Sequence, residues 1–183
     1  RDSGRRDIEH DFGTNPCSEI ILRPYQFCNL TEVVVRATDS EKELSRKVKL
    51  ATILGTFQST LTDFKYIRKI WKSNTEEERL LGVSLTGIMD STATNSPKKG
   101  FLSGLRQSAV DTNKEFAKKL KIPQSTAITC VKPSGTVSQL VDSASGIHTR
   151  HNPYYIRTVR CDKKDPLTQL MIDKGVPHEP DVT

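Results

Sequence analysis

The sequence predicts an α/β fold on a largely parallel sheet. Three observations carry this: short β-branched or apolar runs alternate with long stretches of helical periodicity, the run at residues 81–85 reads as a short buried strand, and no internal repeat or low-complexity segment interrupts the pattern. With 183 residues the chain can bury one ordinary core, so a single domain over residues 1–183 is the expectation.

Residues 1–12 are mostly charged and show no apolar pattern, and the chain starts at Arg1, so it is expected to be a piece of something longer. The apolar stretch Ile20 to Leu22 follows a loop around Cys17, Pro24 marks a turn, and residues 28–35 end in a β-branched run. These two segments are predicted to lie antiparallel, which would return Cys28 toward Cys17. Ser40 and Glu43 form a capping box, and Leu44, Val48, Ala51, Leu54, Gln58 and Leu61 recur at three- and four-residue steps, predicting a helix over residues 41–62. Thr75 and Glu78 make a second candidate capping box before the strand at residues 81–85, which opens into a turn at Gly87.

Residues 88–100, poor in apolar side chains and carrying Asn95, Pro97 and Gly100, read as a loop. Leu102, Leu105, Ala109, Phe116 and Leu120 then predict a helix over residues 101–121, ended by Pro123. Residues 127–131 are strand-like, residues 137–140 open a helix, and Asp165-Pro166 caps another that Gly175 closes.

Composition narrows the class. Lys and Arg total 28 against 22 Asp and Glu, and 28 − 22 gives the net charge of +6. The lysines are spread along helical patterns and not gathered beside aromatic platforms, which argues against nucleic acid as a partner, although a basic surface also suits polyphosphates. No transmembrane run or signal peptide is present, so no membrane is expected and a cytoplasmic location is. The cysteines at positions 17, 28, 130 and 161 show neither a CxxC pair nor zinc-ligand spacing, so neither a structural disulfide framework nor a metal is predicted.

Asn15-Pro16-Cys17-Ser18-Glu19 places a thiol between an amide and a carboxylate, and Cys28 follows eleven positions later in a Cys-Asn-Leu-Thr-Glu context. In an extended segment alternate residues share one face, so Asn15, Cys17 and Glu19 are expected to point at one substrate, with Pro16 biasing the segment away from helix. These two motifs resemble the large catalytic subunit of ribonucleotide reductase. Cys28, Asn29, Leu30 and Glu32 resemble its adenosylcobalamin-dependent (class II) members more than its di-iron members.

The resemblance implies a portion of a ten-stranded α/β barrel with the active cysteine on a central loop. It implies adenosylcobalamin as cofactor and replacement of a ribose 2′-hydroxyl by hydrogen. Cys17 would become the thiyl that takes the 3′-hydrogen, Glu19 the base for the 3′-hydroxyl proton, and Asn15 the holder of the substrate hydroxyls. Cys28 would be one of two redox thiols that end as a disulfide, restored by a thioredoxin-like dithiol reductant. Its partner lies upstream in the family, on the rest of the parent chain, so the piece alone is not expected to turn over.

Lys132-Pro133-Ser134-Gly135-Thr136 places small hydroxyl residues and glycine between a strand and a helix, a turn able to cradle a phosphate though not a Walker loop. The family's substrate-phosphate loop has a comparable pattern, which points to Ser134, Gly135 and Thr136 as phosphate ligands of a ribonucleotide. Residues 146–155 also resemble class II enzymes, with Thr149 where the family has proline. By itself Cys130 reads as a core residue of its strand and Cys161 as a surface thiol. Three other readings stand beside this one: the di-iron class, a non-catalytic nucleotide-binding remnant, and a thiol oxidoreductase using Cys17 and Cys28 alone.

Overall fold

The structure, a computed structural model, describes residues 6–181. The chain divides into two compact units, one running through Arg150 and the other from His151 onward.

In the first unit a two-residue antiparallel pair, β1 (Gly13–Thr14) and β2 (Ile21–Leu22), forms a small hairpin. The predicted pairing of residues 20–22 with 28–35 is thus corrected. β3 (Asn29–Val34) instead runs parallel to β4 (Leu81–Thr86), with Asn29 opposite Leu81 and Val34 opposite Thr86. The correction has a physical reason: β4 is buried along nearly its whole length and needs strands on both sides, and β3 supplies one of them. On its other side the predicted strand at 127–131 contributes one parallel bridge, Val83 to Thr129, with Ile128 in the core and Val131 63% exposed.

Helix α1 (Glu41–Gln58) starts at the predicted capping box, with Ser40 and Glu43 bonded reciprocally. It ends before residue 62, and its buried face runs through Leu44, Val48, Ala51, Thr52, Gly55 and Thr56. Leu54 and Leu61 lie on an exposed stripe, contrary to the predicted face. Helix α2 (Lys69–Glu78) overturns the second capping box, since Thr75 and Glu78 lie in its last turn. Arg79, in the left-handed conformation at φ 46°, ends α2 two residues before β4 begins.

Gly87, at φ 76°, turns the chain out of β4, and a Cβ there would lie 2.7 Å from the Val35 carbonyl oxygen, so both conformation and space require glycine. The segment predicted as loop holds a short 3₁₀ turn (Ile88–Asp90) and helix α3 (Thr92–Asn95), capped by Ser91. Helix α4 (Phe101–Leu120) follows as predicted. It packs beside α1 over the parallel strands, and Val33, Val48, Ala51, Leu81, Val83, Leu105, Ala109 and Ile128 form the core. Fully buried Asn113 joins these layers: its Nδ2 donates to Thr56 and Ser125 hydroxyls at 3.0 Å each, and its Oδ1 accepts from the Ser125 amide at 3.0 Å. Helix α5 (Thr136–Leu140) completes this unit.

The second unit holds α6 (Pro166–Asp173), capped as predicted by Asp165, whose carboxylate accepts the Leu167 amide at 2.7 Å. Gly175, at φ 78°, follows its end. Among the described residues no helix is long and apolar enough to cross a membrane.

Candidate active site

The Asn-Pro-Cys segment forms the loop of the β1–β2 hairpin. It is not extended as predicted. The Ser18 amide donates to the Asn15 carbonyl at 2.9 Å, and Ser18 takes φ 60° to complete the turn. The Asn15 amide donates to the Ile20 carbonyl at 3.2 Å and the Ile20 amide to Asn15 Oδ1 at 3.1 Å. Asn15 therefore closes the loop with its side-chain oxygen, while its Nδ2 has no partner among the described residues. The turn separates the three residues expected on one face: Cys17 is exposed, while Glu19 is half-buried with Oε2 inaccessible and unpartnered among the described residues.

A buried ionic network seats the base of this hairpin. Arg6 donates to the Ile21 carbonyl at 2.7 Å and to both carboxylate oxygens of Glu78, at 2.7 and 2.8 Å. Gln26 donates to the same carboxylate. Arg23, between the hairpin and α2, donates to Glu77 at 2.6 Å and Asn74 at 3.2 Å. Burial raises the cost of ionising Glu78, but the Arg6 and Gln26 hydrogen bonds and the nearby Arg6 and Arg23 charges outweigh it and hold the carboxyl below its usual range. Sequence reasoning missed this network: the charges at 6 and 23 carry no local pattern, and Glu78 reads locally as part of a capping box.

The hairpin packs on the parallel sheet at Gly82, where a Cβ would lie 2.4 Å from Leu30 Cδ2, 2.9 Å from Ile20 Cδ1 and 3.0 Å from Cys130 Sγ. Period-2 alternation puts Leu30 and Glu32 of β3 on the face shared by Gly82 and Ser84 of β4. Glu19, Cys28 and Cys130 come within electrostatic reach of one another here. Burial pushes the Cys28 thiol up, and the Glu19 carboxylate pushes it further. Cys130 is pushed up to about 12, first by burial and then by Glu19 and Cys28. Cys130, expected to be plain core, is thus a half-buried third thiol beside the site. Its position became visible only when the strands were laid side by side.

The Lys132 to Thr136 turn lies beside the same face. Ser134, 4% exposed, donates its hydroxyl proton to Glu32 Oε1, and Lys132 Nζ lies 3.5 Å from Glu32 Oε2. Gly135 takes φ 52° and ψ −122°, and its amide donates to Ser145 Oγ at 3.3 Å. Thr136 is exposed at the start of α5. The turn rests against Gly146, where a Cβ would lie 2.8 Å from the Lys132 carbonyl oxygen. The 142–150 segment is held by Asp90, which accepts the Ala144 amide at 2.8 Å and pairs with Arg150 at 3.1 Å. Glu19, Cys28 and the 132–136 turn are therefore brought to one face, with Cys17 at the hairpin tip.

His148 donates its amide to Ser145, and in the second unit His151 packs edge-on to Tyr155 at 6.2 Å. Among the described residues no group of three or more His, Cys, Asp or Glu is arranged to hold a metal. Cys161 is exposed.

No protein-family model matches the chain. It is similar to the adenosylcobalamin-dependent ribonucleoside-triphosphate reductase of Lactobacillus gasseri, 30% identical over an alignment of 198 positions that covers 93% of this chain and 26% of the relative. The enzyme of that name from Lacticaseibacillus paracasei is 30% identical over an alignment of 213 positions that covers 100% of this chain and 28% of the relative. A crystal structure of B12-dependent (class II) ribonucleotide reductase superposes with a TM-score of 0.61 at 26% identity, over 74% of this chain and 22% of that one. The chain spans about a quarter of the length of the curated relatives it matches. In sequence and in fold, it is homologous to a segment of the adenosylcobalamin-dependent, class II ribonucleotide reductases.

Proposed function

We propose that this chain carries the catalytic thiol hairpin and the phosphate loop of a class II ribonucleotide reductase, and that residues 1–183 are part of a ten-stranded α/β barrel completed by the rest of the parent chain. The observation that carries the reading is the convergence of Glu19, Cys28 and the 132–136 turn on one sheet face below the Cys17 hairpin. The substrate is a ribonucleotide, and the relatives' name favours the triphosphate. That name also leaves the di-iron alternative without support.

Adenosylcobalamin, when bound, supplies the radical that activates Cys17, and an exposed thiol at a loop tip fits that need. Cys17, as a thiyl, takes the 3′-hydrogen of the ribose and returns it to the same carbon once the sugar has been reduced. Glu19 takes the 3′-hydroxyl proton. Asn15 Nδ2 donates to a substrate hydroxyl. The 2′-hydroxyl leaves as water, and two electrons and two protons come from Cys28 and a second thiol on the parent chain, which close to a disulfide. Donating a hydrogen needs a protonated thiol, and the upward shift of Cys28 keeps it so. The same shift disfavours the simple thiol-exchange reading, which needs a thiolate. A thioredoxin-like dithiol reopens the disulfide, Ser134, Gly135 and Thr136 shape the seat of the substrate phosphates, and the reaction is placed in the cytoplasm.

The test is deoxyribonucleotide formation by the intact parent protein with and without adenosylcobalamin, in the presence of a dithiol. Cobalamin-dependent product that Cys17→Ser abolishes supports the assignment. Product that persists in Cys17→Ser removes the thiyl role, and product formed only with a metal-radical subunit moves the chain to the di-iron class.

A further inference from the structure

We propose that Glu32 is a positioning residue for the polyphosphate of the substrate, acting through Ser134 and Lys132; this rests on the function proposed above and deepens it at the same site. Glu32 sits in β3 with its side chain 13% exposed. Each carboxylate oxygen has its own partner: Oε1 accepts the Ser134 hydroxyl and Oε2 faces the Lys132 ammonium at 3.5 Å. These residues flank Pro133, whose ring already restricts its own φ, so holding both neighbours holds the turn. Gly135, at φ 52° and ψ −122°, gives the backbone no such rigidity. The seat is therefore set by Glu32 on one side and the close approach of Gly146 on the other.

Hydrogen-bond capacity defines what the turn offers an anion. Ser134 has one hydroxyl proton and gives it to Glu32, so its side chain does not donate to a phosphate oxygen in this arrangement. Lys132 has three N–H donors, one directed to Glu32 and one to the Pro133 carbonyl at 3.4 Å, which leaves a third for phosphate. Glu32 thereby aims the ammonium and seats the turn. A carboxylate near a polyphosphate also repels it, and the two effects have opposite signs on removal. If positioning dominates, loss of the acceptor weakens phosphate binding; if repulsion dominates, the same loss strengthens it.

The experiment is calorimetric binding of inorganic tripolyphosphate to the intact parent protein, together with steady-state kinetics on the ribonucleotide. Glu32→Ala is expected to raise the tripolyphosphate Kd and the substrate KM at least about tenfold, the loss of a charge-assisted hydrogen bond. kcat should stay within about threefold, on the same arithmetic. Glu32→Gln retains an acceptor for Ser134 and is expected to recover most of the binding. Unchanged or tighter tripolyphosphate binding in Glu32→Ala overturns the proposal, as do equal losses in Glu32→Gln and Glu32→Ala or no binding by the unaltered protein. Should Glu32→Ala fail to fold, Ser134→Ala breaks the same bond and is expected to weaken binding likewise; unchanged binding there overturns the proposal. Tripolyphosphate binding needs no turnover. The predicted binding pattern in a protein that makes no deoxyribonucleotide would sink the proposed function and leave Glu32's role standing.

Discussion

Gly82→Ala isolates the contact that seats the cysteine hairpin on the sheet. Residue 82 lies in β4 outside the positive-φ region, so alanine meets no backbone penalty and the whole cost is steric. The added Cβ would fall 2.4 Å from Leu30 Cδ2 and 2.9 Å from Ile20 Cδ1, against an optimal carbon separation of about 3.5–4.0 Å. Leu30 is half-buried and has some room to turn, but Ile20 is 4% exposed and yields only if the hairpin lifts. Overpacking of this kind costs about 1–3 kcal/mol, and replacing a strand glycine recovers about 0.5–1 kcal/mol of backbone entropy. The net is a destabilisation of up to about 2.5 kcal/mol, or a fall in Tm of up to roughly 10 °C for a chain of this size. Activity should suffer more, since moving a reacting group by about 1 Å can cost on the order of 100-fold. Thermal unfolding and kcat of the purified parent protein read both effects. An unchanged Tm with unchanged kcat would refute the idea that Ile20 on Gly82 sets the height of the hairpin.

Glu78→Gln removes the carboxylate charge that pairs with Arg6, while Arg23 keeps Glu77, and should cost about 3 kcal/mol near neutral pH, measured by denaturant unfolding. Because the folded-state pKa of Glu78 is depressed, its stabilisation is present above the ordinary carboxylate value of about 4.3 and is lost as pH falls through the lower folded value. The Gln variant should therefore lose less stability on acidification than the unaltered protein, and parallel pH curves would contradict this. Iodoacetamide at pH 8 followed by peptide mapping should label exposed Cys17 and Cys161 first; with its thiol at about 12, Cys130 should lag, gaining reactivity only as pH rises, and labelling in step with Cys161 would count against its placement. Arg150→Ala should cost less than about 1 kcal/mol because the ion pair is half-exposed. Asp90→Ala should cost about 1–3 kcal/mol in the same unfolding assay, since the partly buried Ala144 amide loses its acceptor, and equal costs would show that the ion pair alone holds the segment.

Local chemistry was legible in the sequence wherever a few neighbouring residues decide the outcome. The Ser40–Glu43 box, the Asp165-Pro166 start, the turn at Gly87 and the periodicity of α4 needed no distant partner, and the Asn-Pro-Cys motif stood out by itself. Thr75–Glu78 has the letters of a capping box but sits at a helix end, because helix direction there depends on Lys69 six residues earlier and on left-handed Arg79. Leu54 fits the same periodicity as Val48, and only the packing of α1 against α4 and the sheet shows that it faces outward.

The site divides along the same line. The sequence by itself singled out the residues proposed to carry chemistry: Cys17, Glu19 and Cys28 in their motifs, and the Ser134 turn. Tertiary structure alone decided that Asn15 folds its own loop, that Glu19 turns inward while Cys17 stays exposed, that Cys130 joins Cys28, and that Glu32 grips a turn 102 positions away. A hairpin's turn geometry and parallel strand pairing join residues by register across the sheet and not by spacing along the chain, so no periodicity in the sequence records them.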